Sequence, residues 1–219
     1  IRHLVNTKTL LMDVGSTKGD VVAAARRTLG ERLSRFVPAH PIAGKESAGV
    51  EHAAAALYRE RQLILTPLPE THPPLVELAA ELWTLLGSQV LEMSPERHDA
   101  AYASVSHLPH LLAYALVDDI ANKPHAELLF QYAASGFRDF TRIAGSSPEM
   151  WRDISLANQS ALLQELDAYL AQLTGLRARL AAGDGVALEG IYSNAQRARH
   201  QWITAIEAAE QPPAQDQAN

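Results

Sequence analysis

Hydrophobic residues follow two different patterns along the chain, and the change between them falls near residue 93. Up to that point, short apolar runs that favour strands alternate with amphipathic stretches that favour helices. The strands are predicted at 9–14, 35–42, 62–67 and 88–93, and the helices at 19–30, 50–61 and 73–87. This alternation predicts an α/β domain, in which a mostly parallel sheet is connected by crossover helices.

The second pattern is helical periodicity, which continues from residue 94 to about residue 181 without a segment that predicts a strand. The stretch GDGVAL at 183–188 interrupts it, and another helix is predicted at 191–210. These helices carry more apolar residues than one small domain needs for its own core, so we expect a homodimer. The predicted parts are a partial α/β domain at 1–93, an all-α domain at 94–210 and a flexible polar tail at 211–219.

Composition excludes several kinds of protein. The absence of cysteine excludes disulfides, thiol catalysis and thiolate metal sites. The formal net charge of −6 argues against nucleic acid as a partner, and no apolar stretch is long enough to predict a membrane span. We expect a cytoplasmic enzyme or binding protein. Because the sequence starts without Met and enters a buried-type strand almost at once, we also expect that it begins inside a domain.

The stretch DVGSTKG at 13–19 joins the first predicted strand to the first predicted helix. A strand that enters a glycine-bracketed turn before a helix often binds phosphates or substrates. The turn does not match G-x-x-x-x-G-K-[ST], and no G-x-G-x-x-G occurs in the chain. The stretch is therefore either a tight turn in which Ser16 or Thr17 caps the helix, or a catalytic turn.

A histidine lies just beyond the second predicted strand, in FVPAHPIAGKES at 36–47. Ligands of open α/β sheets bind beyond the carboxyl ends of the strands, so His40 and Ser16 are expected to lie close together. His40 is then a candidate general base that the Ser16 hydroxyl positions. The alternative is a solvated loop histidine.

Two histidines three residues apart, His107 and His110, share one face of a predicted helix. With His98 and Asp99 nearby they raise the possibility of a metal site. The lack of an H-E-x-x-H pattern and the proline at position 109 argue against it. A histidine that contacts an anionic substrate is the better interpretation, and we expect no metal.

The segment 135–154 alternates arginines with aspartates and aromatic residues. One interpretation is a helix with surface ion pairs, which contribute little to stability. The other is an arginine that binds a carboxylate in a pocket with aromatic walls.

Four of these stretches, in this order and spacing, resemble one known family. They are DVGSTKG, HPIAGKESAG, SHLPH and GFRDFTRIAGSSPEMWRDI. The chain is similar to prephenate dehydrogenases and to their arogenate and cyclohexadienyl relatives, which make precursors of tyrosine. The similarity extends from about residue 9 to residue 175.

The resemblance implies a Rossmann-type nucleotide-binding domain followed by a helical dimerisation domain. In this family the glycine-rich turn and the acidic residue that selects NAD over NADP precede the DVGS strand. The chain is therefore expected to hold the C-terminal half of the nucleotide-binding domain and to have no turnover alone. The implied cofactor is NAD or NADP, with NAD favoured, and the implied substrate is prephenate or arogenate.

The resemblance also assigns roles by motif. His40 is similar to the catalytic histidine that takes the proton of the substrate's ring hydroxyl, and Ser16 to the serine that orients it. Gly15 and Ser16 are implied to contact the cofactor. The residues implied to bind the substrate or line its pocket are His110 near the side-chain end, Arg142 at the ring carboxylate, Glu46 and Asp139 in a polar network at the entrance, and Trp151 in the supporting wall.

The resemblance leaves some alternatives open. Lys45 stands where a small or hydroxyl-bearing residue is expected, and it bears on the preference between prephenate and arogenate. An arogenate-preferring or dual-specificity enzyme, and a non-catalytic helical dimer that binds tyrosine-like acids, both fit the motifs. A dehydrogenase of another hydroxy acid fits the FRDFTR stretch poorly, and a Ser–His hydrolase lacks a G-x-S-x-G elbow.

Overall fold

The structure is a computed structural model that describes residue 3 and residues 5–6, 8–44 and 49–210. The chain divides into two compact units, Ile1–Leu166 and Asp167–Asn219. The strands described in the first unit are β1 Leu11–Met12, β2 Phe36–Val37, β3 Ala39–Pro41, β4 Gln62–Leu65 and β5 Gln89–Glu92. Its helices are α1 Gly19–Leu29, α2 Pro73–Leu85, α3 Pro95–Tyr102, α4 Leu108–Ala121, α5 Ala126–Gln131, α6 Ser135–Thr141 and α7 Pro148–Ala157. The helix α8 Gln159–Ala181 begins in the first unit and ends in the second, which also contains α9 Gly185–Glu210.

Two parallel strand pairs, each connected by a helix, confirm the predicted crossover pattern. Strand β1 pairs with β2 in parallel, and α1 lies between them in sequence. Strand β4 pairs with β5 in parallel, and α2 lies between them. Parallel neighbours need such a crossover because their chain directions agree.

The predicted strand at 35–42 was wrong as one strand, because it divides at Pro38. Residues before the proline form β2, whereas those after it form β3, which pairs antiparallel with β4. Proline has no N–H for a ladder, but the carbonyl of Pro38 accepts a hydrogen bond of 2.9 Å from Thr66 N. The result is a two-stranded sheet and a three-stranded sheet in the order β3-β4-β5, instead of one sheet, and two of the three strand pairs are parallel as predicted.

Helices α1 and α2 pack on opposite faces of these strands. Phe36 packs with Val22 and Leu29 of α1, whereas the next residue, Val37, packs with the α2 side chains Ala79 and Trp83. Successive residues of a strand point to opposite faces, so the two helices cover different sides. This packing fixes the strand ends that carry the site.

The predicted helix at 50–61 was wrong. The structure shows a short 3-10 turn at Val50–His52, followed by irregular turns up to Glu60, whose φ is 59°. The alanines of this segment favour a helix, but almost all of its side chains are exposed. A helix needs an apolar face packed on a core to be stable, and this segment offers none.

The second half of the chain is helical, as predicted, and the described residues from 94 to 210 contain no strand. The interruption near residue 183 is shorter than expected. Gly183 has a φ of 66°, and Asp184 accepts a hydrogen bond of 3.0 Å from Ala187 N, so α9 begins at Gly185 instead of 191. The predicted tail at 211–219 lies outside the described residues. Among the helices that the structure describes, none is long and apolar enough to cross a bilayer.

Candidate active site

Hydrogen bonds and an ion pair hold the turn after β1 against the strand that carries His40. Asp13 Oδ1 accepts a hydrogen bond of 3.1 Å from Ala39 N, and Asp13 Oδ2 accepts one of 2.9 Å from Gly15 N. Lys18 forms an ion pair with Asp13 and donates a hydrogen bond of 2.6 Å to the carbonyl oxygen of Ala39. These contacts hold the turn that contains Gly15 and Ser16 against the residue next to His40.

Lys18 is fully buried, which is unusual for a lysine. Burial lowers the pKa of Lys18, and the charges of Asp13, Asp99 and Asp20 oppose that shift only in part. The ion pair with Asp13 and the hydrogen bond to Ala39 therefore compensate for the loss of hydration.

His40 contacts a second histidine that is distant in sequence. Its Nδ1 lies 2.8 Å from Nε2 of His98, and Nδ1 of His98 lies 2.8 Å from Oδ1 of Asp99. His98 has no exposed surface, and both histidine rings pack on Tyr102. His40, His98 and Asp99 thus form a continuous hydrogen-bonded chain, which we call the His-His-Asp chain.

Asp99 also closes the N-terminus of α1. Its Oδ1 accepts a hydrogen bond of 2.8 Å from Lys18 N, and its Oδ2 accepts one of 2.7 Å from Gly19 N. A Cβ at Gly19 would lie 3.0 Å from Asp99 Oδ2, so this close contact favours glycine. Burial raises the pKa of Asp99, but the hydrogen bonds from His98 and the two amides outweigh it and lower the pKa below its usual value.

His40 is neutral at physiological pH in this environment. Burial is the main cause that lowers the pKa of His40 to about 3; electrostatic interactions with His98, Lys18 and His107 lower it further, and Asp99 opposes the shift. A neutral imidazole has a lone pair that can accept a proton, so His40 can act as a base without first losing a proton.

A second group of residues connects the His-His-Asp chain to an aromatic wall. Asn158 donates through Nδ2 to the carbonyl oxygen of Asp99 at 2.7 Å and to Nδ1 of His107 at 3.1 Å. The His107 ring centroid lies 6.1 Å from that of Trp151, and His110 stacks on Trp151 at 3.5 Å. A π-helical turn at Ala103–His107 contains the first of these histidines and leads directly into α4, which carries the second.

One ring nitrogen of His110 is held by the backbone. Its Nδ1 donates to the carbonyl oxygen of Ser106 at 2.9 Å, which leaves Nε2 available. Burial lowers the pKa of His110, the hydrogen bond to Ser106 opposes this, and the positive charge of Arg142 lowers the pKa further. Arg142 is therefore close enough to act on His110 electrostatically, although its own side chain is exposed.

The structure brings some predicted site residues together and leaves others apart. His40, His110 and Trp151 belong to the connected groups described above, and Gly15 and Ser16 lie in the fastened turn. Among the described residues no hydrogen bond joins Ser16 to His40, so its orienting role stays a prediction. Asp139 is exposed and pairs with Arg138 at 4.0 Å. Glu46 and Lys45 lie outside the described residues.

Sequence reasoning missed the pairing of His98 and Asp99 with His40, because it considered these two residues only as metal ligands. Within the part of the chain that the structure describes, no group of three metal-ligating side chains could hold an ion. The available signal was Ser94 followed by Pro95, which predicts that a helix starts just before His98. That signal places the residue on a helix but does not indicate its partner.

Acid should destabilise the protein through His107. Asn158 Nδ2 can only donate, so Nδ1 of His107 must be unprotonated, and burial lowers the pKa of His107 to about 4. The unfolded chain binds a proton near the ordinary pKa of about 6.5. The free energy of unfolding should therefore fall as the pH falls from about 6.5 to about 4.

Urea unfolding at several pH values measures this dependence. His107→Asn, which keeps an acceptor near Nδ1, should give a flatter pH dependence between those values than the wild type. The exposed His72→Asn should retain the wild-type slope. Equal slopes for His107→Asn and the wild type would show that His107 does not contribute to the pH dependence of the free energy of unfolding.

Comparisons with known proteins identify relatives across most of the chain. Residues 1–92 match the family of domains described as "Prephenate dehydrogenase, nucleotide-binding domain", and residues 94–192 match "Prephenate dehydrogenase, dimerization domain". The chain is 36% identical over 192 residues to a cyclohexadienyl dehydrogenase of Zymomonas mobilis, covering 87% of this chain and 65% of that protein. It is 40% identical over 177 residues to a prephenate dehydrogenase of Bacillus subtilis, covering 79% and 47% respectively. The chain thus spans about half to two thirds of the length of these relatives.

Solved structures are similar in fold as well as in sequence. A prephenate dehydrogenase of Aquifex aeolicus in complex with hydroxyphenyl propionate and NAD+ has a TM-score of 0.84 and 36% identity, covering 91% of this chain and 69% of that one. An arogenate dehydrogenase of Synechocystis has a TM-score of 0.79 and 26% identity, covering 92% and 73%.

Proposed function

Because the chain belongs to the prephenate dehydrogenase family, we propose that it carries out the oxidative decarboxylation of prephenate to 4-hydroxyphenylpyruvate, with hydride transfer to NAD or NADP. The observation that carries this proposal is a neutral His40 that is hydrogen-bonded into the His-His-Asp chain beside the turn after β1. A dehydrogenase of a carbinol needs a base at this kind of position, at the carboxyl end of a strand.

His40 takes the proton of the substrate's ring hydroxyl. The C–H bond of the carbinol carbon breaks as the hydride leaves, and the O–H electron pair forms the ring carbonyl. Loss of CO2 then restores aromaticity, and the phenol of the product regains a proton, which His40 can return. Removal of the proton by a placed base contributes about 10²–10⁴-fold to the rate.

The turn after β1 fits one end of the cofactor. NAD(P)+ supplies the hydride acceptor when it is bound. Gly15 and Ser16 would hold its nicotinamide end, because their turn is fastened beside His40. The N-terminus of α1 does not fit the phosphates, because Asp99 already accepts hydrogen bonds from the amides of Lys18 and Gly19. We favour NAD over NADP, and the NAD+ complex of the Aquifex aeolicus relative supports this choice.

Prephenate carries two carboxylates, and residues of the helical half of the chain would contact them. Arg142 would bind the ring carboxylate, and His110, stacked on Trp151, would line the pocket near the side-chain end. Asp139 and Glu46 would belong to a polar network at the entrance. A guanidinium is suited to a carboxylate because its planar donors can form two parallel hydrogen bonds.

Arg142→Gln is expected to raise the KM for the substrate about 10- to 100-fold and to change kcat little. A hydrogen bond to a charged group is worth about 1.5–3 kcal/mol, which corresponds to this range. Steady-state kinetics of the full-length gene product measures the effect. Arg138→Gln, which changes an exposed arginine of α6 four residues before Arg142, is the matched control and should leave KM unchanged. A KM unchanged in Arg142→Gln would remove this residue from the binding role.

We also propose that the protein acts as a homodimer, because residues 94–192 match a family of domains described as dimerization domains. Large apolar side chains are exposed on helices of each compact unit. In the first unit they include Leu128, Phe130, Phe140, Leu156 and Leu163, and in the second Leu170, Leu180, Val186, Tyr192 and Trp202. Exposed apolar surface of this extent is typical of an association interface.

The proposed reaction is tested by the absorbance of reduced nicotinamide. The full-length gene product is supplied with NAD+ or NADP+ and with prephenate or arogenate. We expect turnover with prephenate, and the ratio of rates for the two substrates distinguishes a prephenate-specific enzyme from an arogenate-preferring or dual-specificity one. No turnover with either substrate and either cofactor, together with binding of tyrosine-like acids, would instead favour a non-catalytic dimer.

A further inference from the structure

His98 is a buried histidine to which the reaction above gives no part. It lies wholly inside the protein between His40, Asp99 and Tyr102, with its ring centroid 5.0 Å from that of His40 and 4.5 Å from that of Tyr102. Two short polar contacts, one on each ring nitrogen, fix the orientation of the ring. A buried ring that is held at both nitrogens can determine which ring nitrogen of a neighbouring histidine carries the hydrogen.

The hydrogen positions along the His-His-Asp chain follow from its last member. Asp99 accepts hydrogen bonds from the amides of Lys18 and Gly19, so its carboxylate is an acceptor. Nδ1 of His98 must therefore carry the hydrogen that it shares with Asp99. In the neutral ring Nε2 of His98 is then an acceptor, so the hydrogen between the two histidines belongs to Nδ1 of His40.

This assignment leaves one nitrogen of His40 as the base. When Nδ1 carries the hydrogen, the neutral ring has its lone pair on Nε2, the nitrogen that faces away from His98. In the opposite tautomer of His40, the lone pairs of His40 Nδ1 and His98 Nε2 would repel each other at 2.8 Å. His40 Nε2 would then carry the hydrogen and would have no lone pair to accept the substrate proton. Only the first tautomer is both stable here and competent as a base.

We propose that His98 is a positioning residue, which together with Asp99 holds His40 in the tautomer protonated at Nδ1 so that Nε2 accepts the substrate proton. The inference rests on the proposed function, since it names how the base of that reaction is prepared. When His40 Nε2 gains the hydroxyl proton, its Nδ1–H bond to His98 remains, and the new positive charge lies two hydrogen bonds from the Asp99 carboxylate.

The same carboxylate connects the base to the turn beside it. Asp99 holds Lys18 N and Gly19 N, and Lys18 in turn holds the carbonyl of Ala39, next to His40. The base and the turn that would contact the cofactor are thus fixed by one set of contacts. Fixed geometry of this kind lets a base act without rearrangement at the moment of reaction.

Two substitutions of His98 separate positioning from packing. His98→Phe keeps an aromatic ring but removes the acceptor, whereas His98→Gln places an amide oxygen close to the position of Nε2. In the full-length gene product, we expect His98→Phe to lower kcat about 10- to 100-fold, part of what a general base contributes, with little change in KM. His98→Gln should recover part of that loss. Equal losses in the two variants, or an unchanged kcat in His98→Phe, would overturn the proposal.

The tautomer itself is measured by ¹⁵N NMR of the histidine ring nitrogens, which needs no turnover. In the wild-type chain, His40 should show a protonated Nδ1 and an unprotonated Nε2, and His98→Phe should shift the population toward Nε2–H. A wild-type His40 that is protonated mainly at Nε2 would overturn the proposal, even if His98→Phe does not fold. The expected tautomer in a protein without turnover would support the assignment of the hydrogens and overturn only the proposed reaction.

Discussion

Replacing His40 with asparagine is expected to lower kcat about 10²–10⁴-fold with little change in the substrate KM, because the variant lacks the base that accepts the hydroxyl proton. The asparagine amide can lie close to the position of Nδ1 and donate to His98, so the contact with the buried histidine can persist. The lone pair of His40 Nε2, which would accept the substrate proton, is lost in the variant. The effect therefore falls on the chemical step and not on substrate binding.

Steady-state kinetics of the full-length gene product measures both constants. The control is His72→Asn, which makes the same change at an exposed histidine and should leave both constants unaltered. Circular dichroism of His40→Asn shows whether the fold is intact. A folded His40→Asn variant whose kcat stays within about threefold of the wild type would exclude His40 as the base.

Lys18→Met is expected to lower the free energy of unfolding by about 3 kcal/mol, because it leaves Asp13 without its partner in a largely buried place. Lys18 is fully buried, whereas Asp13 retains some solvent contact and the hydrogen bonds from Ala39 and Gly15, so the loss should lie near the lower end of the range for buried pairs. The carbonyl of Ala39 also loses a donor, which loosens the strand that carries His40.

Urea unfolding followed by tryptophan fluorescence measures the loss, since Trp83 of α2 lies in the core with residues of β4. The matched control is Lys123→Met, which breaks an exposed pair with Asp119 one helical turn away and should cost at most about 0.5 kcal/mol. A double variant that also carries Asp13→Asn should recover part of the stability, because it removes the unpaired charge. Equal losses for Lys18→Met and Lys123→Met would show that the buried pair contributes no more to the free energy of unfolding than an exposed pair does.

The sequence was sufficient for the features that depend on local patterns. The crossover helices α1 and α2 and the helical second half follow from residue periodicity within short windows. The segment 50–61 was predicted incorrectly because alanine favours a helix locally, while the exposed position of the segment gives a helix no core on which to pack. The division of the strand at Pro38 depends on which strand each half pairs with, and these partner strands are distant in the sequence.

The site divides in the same way. His40 was found because it follows a strand, at a place where ligands of α/β sheets bind. Its partner His98 lies 58 residues away and was considered only as a possible metal ligand. The burial of Lys18 and the contact of Asp99 with the α1 amides also join distant segments, so a single sequence gives no sign of them. Long-range polar contacts of this kind are where the structure adds most to the motifs.

In the proposed reaction, this chain provides the base for an oxidation that ends in loss of CO2. The most direct test measures CO2 and reduced nicotinamide together while the full-length gene product acts on prephenate with NAD+. We predict equal amounts of the two, formed with 4-hydroxyphenylpyruvate, and loss of both in His40→Asn. Reduced nicotinamide without CO2, or equal formation of both products by wild type and His40→Asn, would contradict the account.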